Sequence, residues 1–200
     1  MKLLAKKVFK LKKTKRTICV VASSRKLGVT HISLAIANFL ASVQKQKVLY
    51  VEVSNKSQLI STVGQSTDTV HGKNVFKYKG VCYLLAASVK EALEVMSFED
   101  YVIIYDLESY TPKTEAIVNR CQVRLAIGSM KPWCEKEYHE FIYQMKGDIK
   151  EVRFFNKGNS QDEKRKFKSI YKTHLDSLPP IDNPFSLKET EFERIYKLIE

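Results

Sequence analysis

Short apolar runs alternate with longer stretches of helical period along most of the chain. Residues 17–22 (TICVVA) form a run of mostly β-branched apolar residues without polar alternation, the pattern of a strand buried on both faces. Across 28–43, apolar residues recur at Val29, Ile32, Ile36, Phe39, Leu40 and Val43, the spacing of one helix face. A second buried strand follows at 48–53 (VLYVEV). Residues 54–74 are polar and carry no clear period, apart from a short helix near 56–63. Residues 76–78 and 81–86 read as a hairpin turning at Lys79-Gly80, and 89–98 as a helix. The run 101–107 (YVIIYDL) is a strong strand ending in an acid. Thr111-Pro112 starts a helix running to about 120, with proline in its first turn. A strand at 123–127, a helix at 132–145 and a strand at 151–155 follow. The charged stretch 157–168 is a loop or a solvated helix, and 174–178 a last short strand. PPIDNP at 179–184 is a breaker. Residues 186–200 close the chain as a helix with a capping-box-like start, Ser186 followed by Glu189.

Repeated β–α alternation of this kind predicts an α/β fold of three layers, a mostly parallel sheet with helices on both faces. Ligands of such sheets bind at the carboxyl ends of the strands. At 200 residues and 44% apolar content the chain can bury one sizeable core. The expected division is a basic N-terminal segment, 1–16, and one domain, 17–200.

Charge sharpens that division. Eight of the net +12 charges lie in residues 1–16, which contain no acid. On a helical wheel Met1, Leu4, Ala5, Val8, Phe9 and Leu11 fall on one face, and Lys2, Lys6, Lys7, Lys10 and Lys13 on the other. A basic amphipathic helix of this type suits an anionic membrane surface or a partner's groove. A solubilising arm and a nucleic-acid contact are the other readings, the last ranked below the first. No apolar run approaches a membrane span or the core of a signal peptide, so a cytoplasmic protein is expected, peripheral at the inner face of the cell membrane if the segment docks there. Cys19, Cys82, Cys121 and Cys134 are spread without a C-x-x-C pair, and His31, His71, His139 and His174 are scattered. Neither a disulfide framework nor a metal site is suggested. Trp133 reads as a packing anchor, His31 as a helix-surface or packing residue, and Lys164-Arg165-Lys166 with Lys168 as a solvated face.

The segment after the first strand, ASSRKLGVTHISLAIANFLA, carries the candidate chemistry. A strand enters a polar loop, and Gly-x-Thr opens a helix whose unpaired N–H groups favour phosphate. This segment resembles the phosphate loop of the MinD/ParA-type ATPases, the deviant Walker (SIMIBI) class of P-loop NTPases, whose loop reads K-G-G-x-G-K-T. Aligned on LAIANFLA, Gly28 falls on the last loop glycine and Thr30 on the Mg²⁺-binding threonine. Val29 falls on the P-loop lysine, Ser24 on the family's signature lysine, and Arg25 and Lys26 on the two glycines. The resemblance runs in order over about 17–199. VLYVEV is similar to the strand ending V-D-x-D, with Glu52 and Ser54 at the acids. YVIIYDLE is similar to the Walker B strand, with Asp106 on the metal-side acid. PIDNPF resembles the ending of some small bacterial members.

What the resemblance implies is a P-loop NTPase-like fold with a degenerate site. Ser24, Arg25, Lys26, Gly28, Val29, Thr30, His31 and Glu52 form the would-be nucleotide site. Thr30 and Asp106 would hold Mg²⁺ if nucleotide binds, and Asp106 would be the catalytic-side acid if the site is active. Phosphoryl transfer rests on positioning and electrostatics, so valine in place of lysine removes a cation from the phosphates. The expected function is therefore a pseudo-ATPase without a cofactor, a localisation, scaffold or assembly factor with protein partners and a homodimer among its expected assemblies. TadZ-like and CpaE-like proteins of pilus, secretion and cell-pole systems are the model for it. Two alternatives stand beside it: an active ATPase that binds ATP and Mg²⁺ through a substitute cation from Arg25 or Lys26, and a DNA-binding accessory protein.

Overall fold

The computed structural model describes residues 17–145, 151–158 and 160–200. The N-terminal segment with Lys2, Lys6, Lys7, Lys10 and Lys13 therefore lies outside the described residues. Nine strands form one sheet in the order β3-β4-β5-β2-β6-β1-β7-β8-β9. They are β1 (Thr17–Ala22), β2 (Val48–Val53), β3 (Thr67–Val70), β4 (Lys73–Tyr78), β5 (Val81–Ala87), β6 (Val102–Asp106), β7 (Val123–Gly128), β8 (Val152–Asn156) and β9 (Leu175–Ser177). Every neighbour from β5 across to β9 pairs in parallel, and β3 and β4 add an antiparallel extension at one edge. The helices are α1 (Val29–Ser42), α2 (Ile60–Val63), α3 (Val89–Glu94), α4 (Glu115–Val118), α5 (Glu135–Gln144), α6 (Gln161–Tyr171) and α7 (Glu189–Ile199). This is the mostly parallel α/β sheet that the alternation predicts.

The central strands are buried along their whole length, so they lack alternation in sequence although their side chains alternate in space. Ile18, Val20 and Ala22 of β1 face a core shared with α1 and α7, where Phe39 meets Phe192 at 5.8 Å between ring centroids. Cys19 and Val21 face the opposite core, filled by α3, α4, α5 and α6. Gly128, at the end of β7, is required by that second core. A Cβ there would meet the Tyr138 ring at 2.1 Å.

Several elements differ from the sequence reading. The stretch 54–74 contains β3, whose first three residues are exposed and so leave no apolar signal. The charged stretch near 157–168 is helix α6, capped by Ser160, which accepts from the Glu163 N–H. It is anchored by Phe167, which packs on Tyr138, Phe154 and Tyr171. The helix expected from Thr111 narrows to α4, because the Thr111 and Thr114 hydroxyls hold the preceding residues in a turn. The last helix begins at Glu189. The buried Glu191, not Glu189, reaches back, accepting from the Lys188 N–H at 2.7 Å and the Asp182 N–H at 3.1 Å. Trp133 is not a packing anchor: it is 76% exposed, with the Lys131 ammonium 5.4 Å from its ring centroid.

Candidate functional site

β1 lies between β6 and β7, where strand order reverses, and the loop from its carboxyl end crosses that point. The Ser23 N–H donates to the Ile127 carbonyl at 2.9 Å, which fixes the start of the loop over β7. Lys26 and Gly28 then take left-handed backbone, at φ of 64° and 103°. The first falls where the family loop has glycine, so a lysine carries a turn that costs an L residue on the order of 1 kcal/mol. Gly28 caps α1 through its carbonyl, which accepts from the Ile32 N–H at 3.0 Å.

The side chains of this loop divide sharply. Leu27 and Val29 are buried in the core beneath α1, with Val29 only 5% exposed. The position aligned with the phosphate lysine therefore contributes to apolar packing, worth about 1.5–3 kcal/mol for a fully buried aliphatic side chain. Arg25 turns outward and pairs with Glu108 at 3.1 Å, a solvent-exposed contact. Lys26 is exposed, and its carbonyl accepts from the Lys157 ammonium at 2.9 Å. Ser24 is half-buried at the head of the loop. His31 ties α1 to the breaker segment, its Nε2 lying 2.7 Å from the Ile181 carbonyl oxygen.

Beneath Thr30, two carboxylates end adjacent strands in register, Glu52 on β2 and Asp106 on β6. Asp106 is 2% exposed. It accepts from the Tyr50 hydroxyl at 2.6 Å, the Glu108 N–H at 3.1 Å and the Thr30 hydroxyl. Burial nevertheless pushes its carboxyl above the usual range, and Glu52 adds to that rise. The Tyr50 phenol is likewise raised, by burial first and then by Asp106. Glu52 accepts from the Gln58 and Ala86 N–H groups at 3.2 and 3.3 Å, so it braces the loops after β2 and β5. Ser54, on the second family acid, donates to the Lys56 carbonyl at 3.2 Å.

The space left between Thr30, Glu52, Asp106 and Glu108 is about 20 Å³. That admits roughly one water. A wider cleft of about 590 Å³ opens farther along the carboxyl edge, among Arg25, Lys56, Ser88, Glu108 and Lys113. The structure thus gathers Thr30, Glu52 and Asp106 around one point, with Gly28 opening the helix that carries Thr30. Arg25, Val29 and His31 are engaged elsewhere. Tyr50 and Lys157 were not singled out from sequence. Tyr50 shares the face of Glu52 at a spacing of two, a readable signal. Lys157 reaches the loop only because β8 stands next to β7.

The parallel sheet, the strand reversal at β1 and the glycine-opened helix after it define a P-loop NTPase-type α/β fold. More particularly, the fold is similar to that of ParA-type proteins. A ParA family ATPase from Chlorobium tepidum TLS superposes with a TM-score of 0.56 at 9% identity, over 91% of this chain and 89% of its own. A plasmid partition protein from Borrelia burgdorferi gives 0.59 at 12% identity, over 92% and 98%. A Borrelia burgdorferi B31 protein of the plasmid partition kind, bound to AMPPNP, gives 0.60 at 11% identity over 92% and 98%. No protein-family model matches the chain, and no curated protein matches it in sequence. Among the described residues no helix is long and apolar enough to cross a membrane.

Proposed function

We propose that this chain is a non-catalytic relative of the MinD/ParA ATPases, acting as a localisation, scaffold or assembly factor with protein partners. The observation that carries the reading is Val29, buried in the core at the place aligned with the phosphate lysine. Three further features point the same way: the narrow space beside Thr30, the Tyr50 hydrogen bond on Asp106, and the Arg25–Glu108 pair. Together they turn Arg25 away from the phosphate position, narrow the space beside Thr30 and satisfy the Mg²⁺-side acid internally. The plasmid partition proteins of like fold, and the TadZ-like and CpaE-like resemblance, suggest the setting: positioning of a larger assembly, such as a pilus, secretion or cell-pole system.

Calorimetry of the full chain with ATP and with ADP in Mg²⁺ tests it. The expected result is no saturable binding. Micromolar binding, or turnover that Asp106→Ala abolishes, overturns it.

One observation favours a second reading. The Lys157 ammonium sits at the loop, on the Lys26 carbonyl, and is a candidate substitute cation for an active ATPase. In that case ATP turnover is present and falls sharply in Lys157→Ala. The basic segment 1–16 is proposed to add docking to an anionic membrane surface or a partner. Vesicle pelleting of the chain with and without that segment, set beside salt-dependent duplex binding, separates this from the DNA-accessory reading.

A further inference from the structure

Helix α5 presents an exposed stripe that nothing in the nucleotide site uses. At 100° per residue, Trp133, Lys136, Glu140 and Tyr143 fall within about 80° of one another. Trp133, in the turn leading into the helix, is 76% exposed and Tyr143 is 90% exposed. Lys136 and Glu140 pair weakly at 3.9 Å along the helix surface. Large aromatics held this far out, on a helix whose other face is packed by Tyr138, Phe141 and Ile142, are typical anchors of a protein contact.

The spacing of the stripe is palindromic. Trp133 and Tyr143 stand five residues either side of Tyr138, and Lys136 and Glu140 stand two either side. Two copies of α5 laid antiparallel about a two-fold axis near Tyr138 would set Trp133 on the second copy's Tyr143. Lys136 would then face the second copy's Glu140, twice over. A self-complementary patch of this kind is what an isologous interface requires. We propose that α5 is a homodimer contact, with a second copy of this chain as its occupant. The four aromatics supply roughly 600–800 Å² of cover at about 150–200 Å² each. With the charged pairs that approaches the lower end of specific interfaces, so the dimer is a weak, reversible one. It lies on the outer face of the helix layer and does not depend on nucleotide.

Sedimentation of the full chain without nucleotide, from low micromolar to several hundred micromolar, reads it out. The wild type shifts from one copy to two. Lys136→Glu and Glu140→Lys each stay single, because each places like charges across the axis. An equimolar mixture of the two variants recovers the dimer, since each then offers the opposite charge to the other. The mixture leaves the pair within each helix like-charged, so recovery reports the contact between copies alone. Trp133→Ala also stays single, and thermal melting confirms that these exposed variants fold. A wild type that remains single throughout, a charge variant that associates as the wild type does, or a mixture that stays single overturns the proposal.

Discussion

Restoring the missing lysine is the most direct challenge to the reading of the loop. Val29 is 5% exposed and packs in the core beneath α1. In Val29→Lys the protein loses the burial of one valine, about 1.5 kcal/mol. It must also either carry an ammonium into that core or bend the stem outward past Leu27. The total loss should be about 2–4 kcal/mol. For a chain of this size, at about 2–4 °C per kcal/mol, the thermal midpoint falls by roughly 5–15 °C. Scanning fluorimetry with and without Mg²⁺-ATP measures both halves of the argument. The variant should melt early and gain nothing from nucleotide, because the space beside Thr30 is about 20 Å³ and Asp106 is held by Tyr50. A variant that melts like the wild type, or that nucleotide stabilises by several degrees, would show that this side chain points into a working phosphate site.

Asp106 holds its proton more tightly in the folded chain, so its ionisation opposes folding. The stability tied to it is present at acid pH and lost as pH rises from the ordinary carboxylate range through the raised value. Urea midpoints of Asp106→Asn should therefore exceed the wild type at neutral pH and converge with it in acid. Tyr50→Phe removes a donor from that buried carboxylate and should cost about 1–3 kcal/mol in urea unfolding at neutral pH, against near-equality if the hydroxyl is idle. Gly128→Ala drives a Cβ into the Tyr138 ring, and a loss below about 0.5 kcal/mol in the same assay, as at an exposed site, would contradict close packing of Tyr138 on Gly128.

The parallel core was legible because its strands are apolar throughout and each helix shows its period. β3 was not, since Thr67, Asp68 and Thr69 are exposed and its identity comes from pairing with β4. α6 is mostly charged or polar, and its single deep anchor, Phe167, gives no period by itself. At the site, the sequence marked Thr30 and Asp106, which meet. The helix period already put Val29 on the apolar face, but the sequence did not reveal that Tyr50 holds Asp106, or that Glu52 braces two loops by accepting backbone N–H groups. Those depend on which strands become neighbours. Trp133 looked like core by residue type, and only the direction of α5 puts it in water.

The strand that carries the loop is also the one that waits longest for company. β1 pairs only with β6 and β7, which begin at Val102 and Val123, and α1 rests on α7 near the end of the chain. During synthesis at about 5–20 residues per second, Phe39 emerges roughly 8–30 s before Phe192 arrives to cover it. Through that interval the apolar face of α1 is exposed to whatever surrounds the ribosome. The His31–Ile181 and Lys79–Phe185 contacts, which span 150 and 106 residues, can close only at the end. The order of translation thus makes the centre of this sheet a late event, and the nascent chain a natural client for chaperones.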